Sequence, residues 1–433
     1  MSWLPEVLAG PGKTDGRKAG AGKAGTGMRA RSRQGAGQKP SSELGSSLGR
    51  AAVAGITAAA GAVVGGAVSM GTATYFAHRI ITPEHEKKDD TTILDVDEDA
   101  GTVTFRATPW TTAPGRYGVW LDRGAGHARV GRVLEEDQEV KPPTVTRELL
   151  GVDQGEIAPG QVRWNKYFFC GTPGSALGLD HEDVLVTSDI GDLAAWRVPP
   201  QEAAANGDWA ILVHGRSAMR EETLRAVPVL HRLGYTCLIP MYRNDIGAPA
   251  SSDGRYSLGM SEWRDVDAAM DYALAHGAKR LVLFGWSMGG AIVLQALNRS
   301  DVAHRVHRVI LNGPVIDWGN VLAHQADLHF IPRPIDHLAR GLLRSRISRH
   351  LLGIAEPVDV AATNWVDRAD EVTHRIFIIH SATDETVPYG PSQDLARRRP
   401  GLVHTFVWPR ARHCQEWNTN PSLWDDLVAS FLR

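Results

Sequence analysis

Six continuous apolar runs stand in the second half of the chain: WAILVH (209–214), TCLIP (236–240), RLVLFG (280–285), RVILNG (308–313), RIFIIH (375–380) and HTFVW (404–408). Unbroken apolar strands, as opposed to alternating ones, are those buried on both faces of a parallel sheet. Helical patterns lie between them. Val266, Ala269, Met270, Ala273 and Leu274 fall at i, i+3, i+4, i+7 and i+8, one face of a helix that Ser261 is placed to cap. The last helix has Asn420 as its cap, Pro421 at its first position, and Leu423, Trp424, Leu427, Val428 and Phe431 as its buried stripe. Strand and helix alternate over 181–433, which predicts an α/β fold with a doubly wound, mostly parallel sheet and right-handed crossovers.

Upstream the pattern changes. TILDV, TVTFRA, YGVWL and ARVGRVL are short strand-like pieces separated by Gly, Pro and acidic turns, so a small β-rich region is expected over 84–180, to which no chemistry is assigned. Residues 1–50 carry nine Lys or Arg against three acidic residues and little apolar content; they are read as a disordered basic, Gly/Ser-rich tail. Residues 51–77 hold no charge, and a hydrophobic helix over 51–80 is long enough to cross a bilayer. Tyr75 and Phe76 stand where interfacial aromatics would. Residues 78–100 hold three basic and eight acidic residues, so the flanking charge predicts a cytoplasmic N-terminus and an extracytoplasmic catalytic domain, with a cytoplasmic enzyme as the alternative.

Composition adds limits. A length of 433 residues exceeds one ordinary core, and a net charge of −2 gives no case for nucleic-acid binding. The three cysteines, Cys170, Cys237 and Cys414, form no CxxC pair and no disulfide framework. There is no HExxH and no phosphate-cradling GxxxxGK[ST]. His304 and His307 are read as surface histidines, not a metal site.

The candidate chemistry centres on Gly285-Trp286-Ser287-Met288-Gly289, where an apolar strand runs into a helix. Glycines two before and two after permit a tight turn that lifts Ser287 to the helix N-terminus and aims the Met288 N–H at an oxyanion. A serine needs a base. His413 follows HTFVW, and Asp384 follows RIFIIH, each just past its own strand. The order Ser287, Asp384, His413 therefore forms a candidate catalytic triad, with Glu385 and Asp317 as lower-ranked acids. The second oxyanion N–H is expected from Arg216 in His214-Gly215-Arg216-Ser217. The Arg216 side chain is expected to face solvent or pair with an acid, and His214 to support the loop by packing.

These landmarks, with EDVLVTSDIGDLAAWRVPP, YRNDIGAP, GWSMGG, HSATDETVP and ARHCQEWN, resemble the α/β-hydrolase superfamily over residues 181–433, in the branch of esterases, lysophospholipase-like and serine aminopeptidase-like enzymes. The preceding segments are similar to those of membrane-associated bacterial members. The resemblance implies a helical cap at 314–370, including Trp318, His324, His329, Phe330, Leu342, Leu343, Leu351 and Leu352, whose apolar residues mostly form the cap's own core. It implies no cofactor and no metal. The function expected is a serine hydrolase of a small-molecule or lipid-like carboxylic ester, with membrane contact through the N-terminal segment. Amide or peptide hydrolysis by the same triad is the first alternative, and a non-catalytic membrane-tethered binding module the second.

Overall fold

The computed structural model describes residues 69–84 and 87–433. The candidate span at 51–77 falls mostly outside them. Its last part does not: residues 69–81 are helical (α1), and Ala73, Phe76, Ala77, Ile80 and Ile81 are all buried. Phe76 is thus packed inward and not placed at an interface, whereas Tyr75 is exposed. Among the described residues no helix is long and apolar enough to cross a membrane.

Six antiparallel strands follow: β1 (Thr91–Asp97), β2 (Thr102–Arg106), β3 (Tyr117–Leu121), β4 (Gly126–Asp137), β5 (Thr144–Gln154) and β6 (Gly160–Asn165). They close into a barrel in the order β1-β2-β5-β4-β3-β6. Closure removes the free edges that short strands otherwise expose. Inward residues such as Val103, Phe105, Val119, Val130, Val145 and Trp164 form its own core. Arg147 is buried at the end of this core. It donates to the carbonyls of Thr111, Ala113, Gly115 and Gly131, with its guanidinium over the Tyr117 and Trp164 rings.

A short helix, α2 (Pro173–Leu177), leads to the second body. Its strands are β7 (Glu182–Ser188), β8 (Gly191–Val198), β9 (Trp209–Val213), β10 (Thr236–Pro240), β11 (Leu281–Trp286), β12 (Val306–Asn312), β13 (Ile376–Ser381) and β14 (Val403–Trp408). The sheet order is β14-β13-β12-β11-β9-β10-β8-β7. Strands β9 to β14 run parallel, whereas β7 and β8 form an antiparallel hairpin at one edge. Chain order reverses around β9 and β11, the doubly wound arrangement that opens a site at the strands' C-terminal ends.

The helices are α3 (Val227–Arg232), α4 (Trp263–Ala275), α5 (Met288–Arg299), α6 (Trp318–Leu328), α7 (Arg333–Arg344), α8 (Ser348–Leu351), α9 (Gly390–Arg398), α10 (Glu416–Thr419) and α11 (Pro421–Leu432). Val266, Ala269, Met270 and Ala273 of α4 are buried, but Ser261 does not cap it. Glu262 is the boundary residue, and its buried carboxylate accepts the N–H groups of Ser257 and Gly259. Asn420 does cap α11 by accepting from the Leu423 N–H, while Leu423 itself faces outward.

Between β12 and β13 lies the helical insertion of α6, α7 and α8. Asp317 caps α6 by accepting the Gly319 N–H. Trp318, Leu342, Leu343 and Leu352 are buried; Phe330 is 93% exposed. Helix α6 leans on the loop after β13: His324 Nε2 lies 3.0 Å from the Glu385 carbonyl, and Gln325 donates to the Thr386 carbonyl.

Candidate active site

Strand β11 ends at Trp286 and helix α5 begins at Met288, so a single residue, Ser287, makes the turn. Its φ of 52° and ψ of −118° lie where non-glycine residues are rare and cost about 1–3 kcal/mol. The turn survives because its neighbours are too close for anything larger. A Cβ at Gly285 would sit 2.6 Å from the Gly289 carbonyl oxygen, and one at Gly289 would sit 2.2 Å from that of Val213. Beneath it, the Trp286 ring stacks on Phe284 with centroids 4.1 Å apart, locking the strand end. The Ser287 N–H donates to the Asn312 carbonyl on the adjacent strand.

The three residues singled out from separate strand ends meet. His413 Nε2 is 2.8 Å from Ser287 Oγ, and His413 Nδ1 is 2.7 Å from Asp384 Oδ2. The other carboxylate oxygen, Asp384 Oδ1, accepts the N–H groups of Thr386 and Val387, each at 2.8 Å. Burial works against charge on both groups, but each is outweighed by its partner. The His413 imidazole is held well above its ordinary 6.5 by the Asp384 carboxylate, and the Asp384 carboxyl well below its ordinary 3.8 by His413 and then His380. An imidazole held in this way can take a proton from the hydroxyl and carry it as a stabilised cation.

The lower-ranked acids are elsewhere. Glu385 pairs with Arg412 at 3.0 Å, and Asp317 is the α6 cap. Cys414 is buried, with its Sγ 3.4 Å from the Asn312 carbonyl. His304 and His307 face different carbonyls, of Asp301 and Leu281. Among the described residues no group of three His, Cys, Asp or Glu could hold a metal ion.

Two residues behind Asp384 and His413 escaped the sequence reading. His380, buried at the end of β13, has Nε2 3.3 Å from Asp384 Oδ2 and Nδ1 2.8 Å from Ser392 Oγ. Glu416, fully buried on α10, accepts from Asn312 Nδ2 at 2.7 Å and from the Ser381 N–H at 3.1 Å. Its pKa is raised by burial and then by Asp384. It ties the ends of β12 and β13 to α10. The only hint in the sequence was a polar residue ending an apolar run and an acid three places after His413.

The loop after β9 is held at every point. Gly215 lies against Ser287: a Cβ there would be 3.2 Å from Ser287 Cβ. The Gly215 N–H donates to the buried Glu222 Oε2 at 2.7 Å, and its carbonyl accepts from Tyr242 Oη at 2.8 Å. His214 is buried and stacked on Tyr242, with Nε2 2.8 Å from Asp245 and Nδ1 3.0 Å from the Gly215 carbonyl. Glu222 is paired with Lys166, from the segment leaving the barrel, at 2.5 Å. Of the two placements expected for the Arg216 side chain, solvent or an acid partner, the first is not what the structure shows. It is half-buried, and its guanidinium donates to the carbonyls of Arg79, Ile80 and Thr82. These carbonyls end α1 and lack helical partners.

The barrel abuts the same region. Asn418 on α10 donates to the carbonyls of Arg116 and Lys166, and the Arg116 N–H donates back to the Asn418 carbonyl. A cleft of about 620 Å³ opens at this junction, lined by Thr108 and Pro143 on the barrel side and by Thr383, Glu385 and Arg412 opposite. Neither Ser287 nor His413 lines it, so a molecule seated there would not touch the hydroxyl.

A parallel α/β sheet with a strained serine between strand and helix, in hydrogen-bond reach of a histidine and a buried aspartate, defines a hydrolase-type site. The chain belongs to the alpha/beta hydrolase family, whose model matches residues 210–430. Membership makes it a hydrolase. Residues 92–165, the barrel, match a domain of unknown function (DUF8805). No curated protein matches the chain. Among solved structures, an esterase of Pyrococcus furiosus is 20% identical, with 61% of this chain and 95% of that one covered and a TM-score of 0.46. A serine hydrolase without lid from Xanthomonas campestris is 17% identical, with 59% and 94% covered and a TM-score of 0.40. An esterase of Exiguobacterium antarcticum is 14% identical, with 58% and 99% covered and a TM-score of 0.41.

Proposed function

We propose that the protein is a serine hydrolase of carboxylic esters. The observation that carries this reading is the continuous Ser287–His413–Asp384 chain, with contacts of 2.8 and 2.7 Å. His413 Nε2 takes the Ser287 proton as Oγ bonds to the ester carbonyl carbon. The carbonyl oxygen becomes an oxyanion, held by the N–H groups of Met288 and Arg216. Met288 is the first residue of α5, so helix geometry leaves its N–H without an internal acceptor. The tetrahedral centre collapses, the C–O bond to the alcohol breaks, and His413 gives its proton to the leaving oxygen. Water then attacks the acyl-enzyme with His413 again as base, and the acid departs as Ser287 regains its proton. The insertion of α6 to α8 acts as a cap over the acid loop.

The expected outcome of Ser287→Ala is loss of labelling by a fluorophosphonate and loss of p-nitrophenyl ester hydrolysis, with an unchanged thermal midpoint. Labelling that persists in the variant rejects the serine as nucleophile. Membrane attachment is a separate proposal, supported by the uncharged run at 51–77. Full-length protein should resist carbonate extraction from membranes; release into the supernatant would refute attachment.

A further inference from the structure

We propose that residues 79–84 together with Lys87, which lie outside the family-matched catalytic region, form the outer wall of the oxyanion loop, and that Arg216 is a positioning residue: its side chain holds the wall so that its own N–H stays aimed at the oxyanion. The proposal rests on the serine-hydrolase reading above. Arg216 Nε donates to the Ile80 carbonyl at 2.8 Å, and Nη2 to those of Arg79 and Thr82 at 2.7 Å each. These oxygens are the unsatisfied last-turn acceptors of α1, at the negative end of its dipole, where a guanidinium is a fitting cap. One side chain thus closes a helix and tethers a loop more than 130 positions away.

The next residue is gripped from the same wall. Ser217 has a φ of 50°, a left-handed conformation that needs external support. Its Oγ accepts the Glu84 N–H at 2.9 Å, and its carbonyl accepts from Lys87 Nζ at 2.9 Å. Its N–H donates to Tyr256 Oη, while the Tyr256 N–H donates to the Ile81 carbonyl at 2.7 Å. Among the described residues, the Arg216 side chain and Ser217 are therefore tied, directly or through Tyr256, to residues 79–84 and Lys87. The inner side is pinned within the catalytic body by Glu222, Tyr242 and His214 at Gly215. An N–H between two such anchors points where both put it. Oxyanion donors work only within about 2.7–3.1 Å of the developing charge, so slack of a few tenths of an ångström is felt in the chemical step and not in ground-state binding.

The test uses the full chain with Arg216→Met and Arg216→Lys. Active sites are first counted by fluorophosphonate titration. Per titrated site, we measure kcat and KM on p-nitrophenyl butyrate and the affinity for an aryl trifluoromethyl ketone. That ketone bonds through its carbonyl carbon to Ser287 Oγ; the proton passes to His413 and the ketone oxygen becomes an oxyanion. For Arg216→Met, kcat and ketone affinity should fall in parallel by about 10–100-fold while KM moves by less than about threefold. Arg216→Lys, which keeps the charge but not the fork, should recover part of both. Wild-type kcat and ketone affinity per site overturn the proposal, as does a loss confined to the number of titratable sites, which is all a purely structural role would give. Should Arg216→Met fail to fold, Lys87→Met decides: a parallel drop of about threefold or more in both readouts supports the wall, and none overturns it. Wild-type protein that takes neither fluorophosphonate nor ketone would overturn the serine-hydrolase reading together with this one; active wild type with unaffected variants overturns this one alone.

Discussion

The pair of Lys166 and Glu222 joins the end of the barrel to the loop beside Ser287, and removing the lysine measures that junction. Lys166 Nζ lies 2.5 Å from Glu222 Oε1, and the glutamate side chain has no exposed surface. Burial pushes the Glu222 carboxyl up, but Lys166 and then Arg225 outweigh it and leave its pKa at about 2 instead of 4.5. Lys166→Met strands a buried carboxylate. Breaking a buried pair from one side costs about 3–5 kcal/mol. Two contacts put this site at the lower end: Arg225 remains 3.6 Å away, and the Gly215 N–H still donates at 2.7 Å. The expected loss is about 3 kcal/mol at pH 7. Adding Glu222→Gln removes the stranded charge while keeping an acceptor for Gly215, so the double variant should be more stable than Lys166→Met, with a coupling energy of about 2 kcal/mol. The assay is equilibrium urea unfolding followed by tryptophan fluorescence. The depressed carboxyl stabilises the fold fully above pH 4.5, and that contribution is lost as pH falls towards 2. The gap between wild type and Lys166→Met should accordingly close in acid. A single variant within about 0.5 kcal/mol of wild type, or strict additivity in the cycle, refutes the reasoning.

Two further outcomes follow from the proposed triad. Asp384→Asn turns an amide N–H towards His413 Nδ1, forces the other tautomer and leaves Nε2 protonated against Ser287; kcat should fall about 10⁴-fold with the fold intact, and a loss under about tenfold argues against the role. The imidazole must be neutral to act as base, and Asp384 holds its pKa well above 6.5, so kcat/KM should rise with pH along a limb centred above 6.5; a limb at or below that value contradicts the coupling.

Much of the catalytic body is readable from pattern alone because its strands are buried on both faces. The run RLVLFG appears as β11 and RIFIIH as β13, each within one or two residues of its boundary. Ser287, Asp384 and His413 could be picked out because each follows such a run. The barrel was read only as several short strands. Alternation tells which residues face inward but not which strand each will pair with, so closure through β1 and β6 had no local signal. The Ser261 cap fails because the first N–H groups of α4, those of Arg264 and Asp265, go to the backbone carbonyls of Ser261 and Glu262. The contact of the Arg216 side chain with α1 had no signal in the sequence, because an exposed arginine is the ordinary case and only the arrival of α1 supplies three carbonyls for it.

Local chemistry along the chain was enough to determine the sheet's class, the tight turn at Ser287 and the identity of the groups that meet there, since glycine spacing and apolar runs act over a few residues. Tertiary packing alone decided what surrounds them: Lys166 on Glu222, Glu416 on Asn312, and α1 beside the loop after β9. Those contacts join residues far apart in the chain, and their worth comes from burial, which no short window of sequence records.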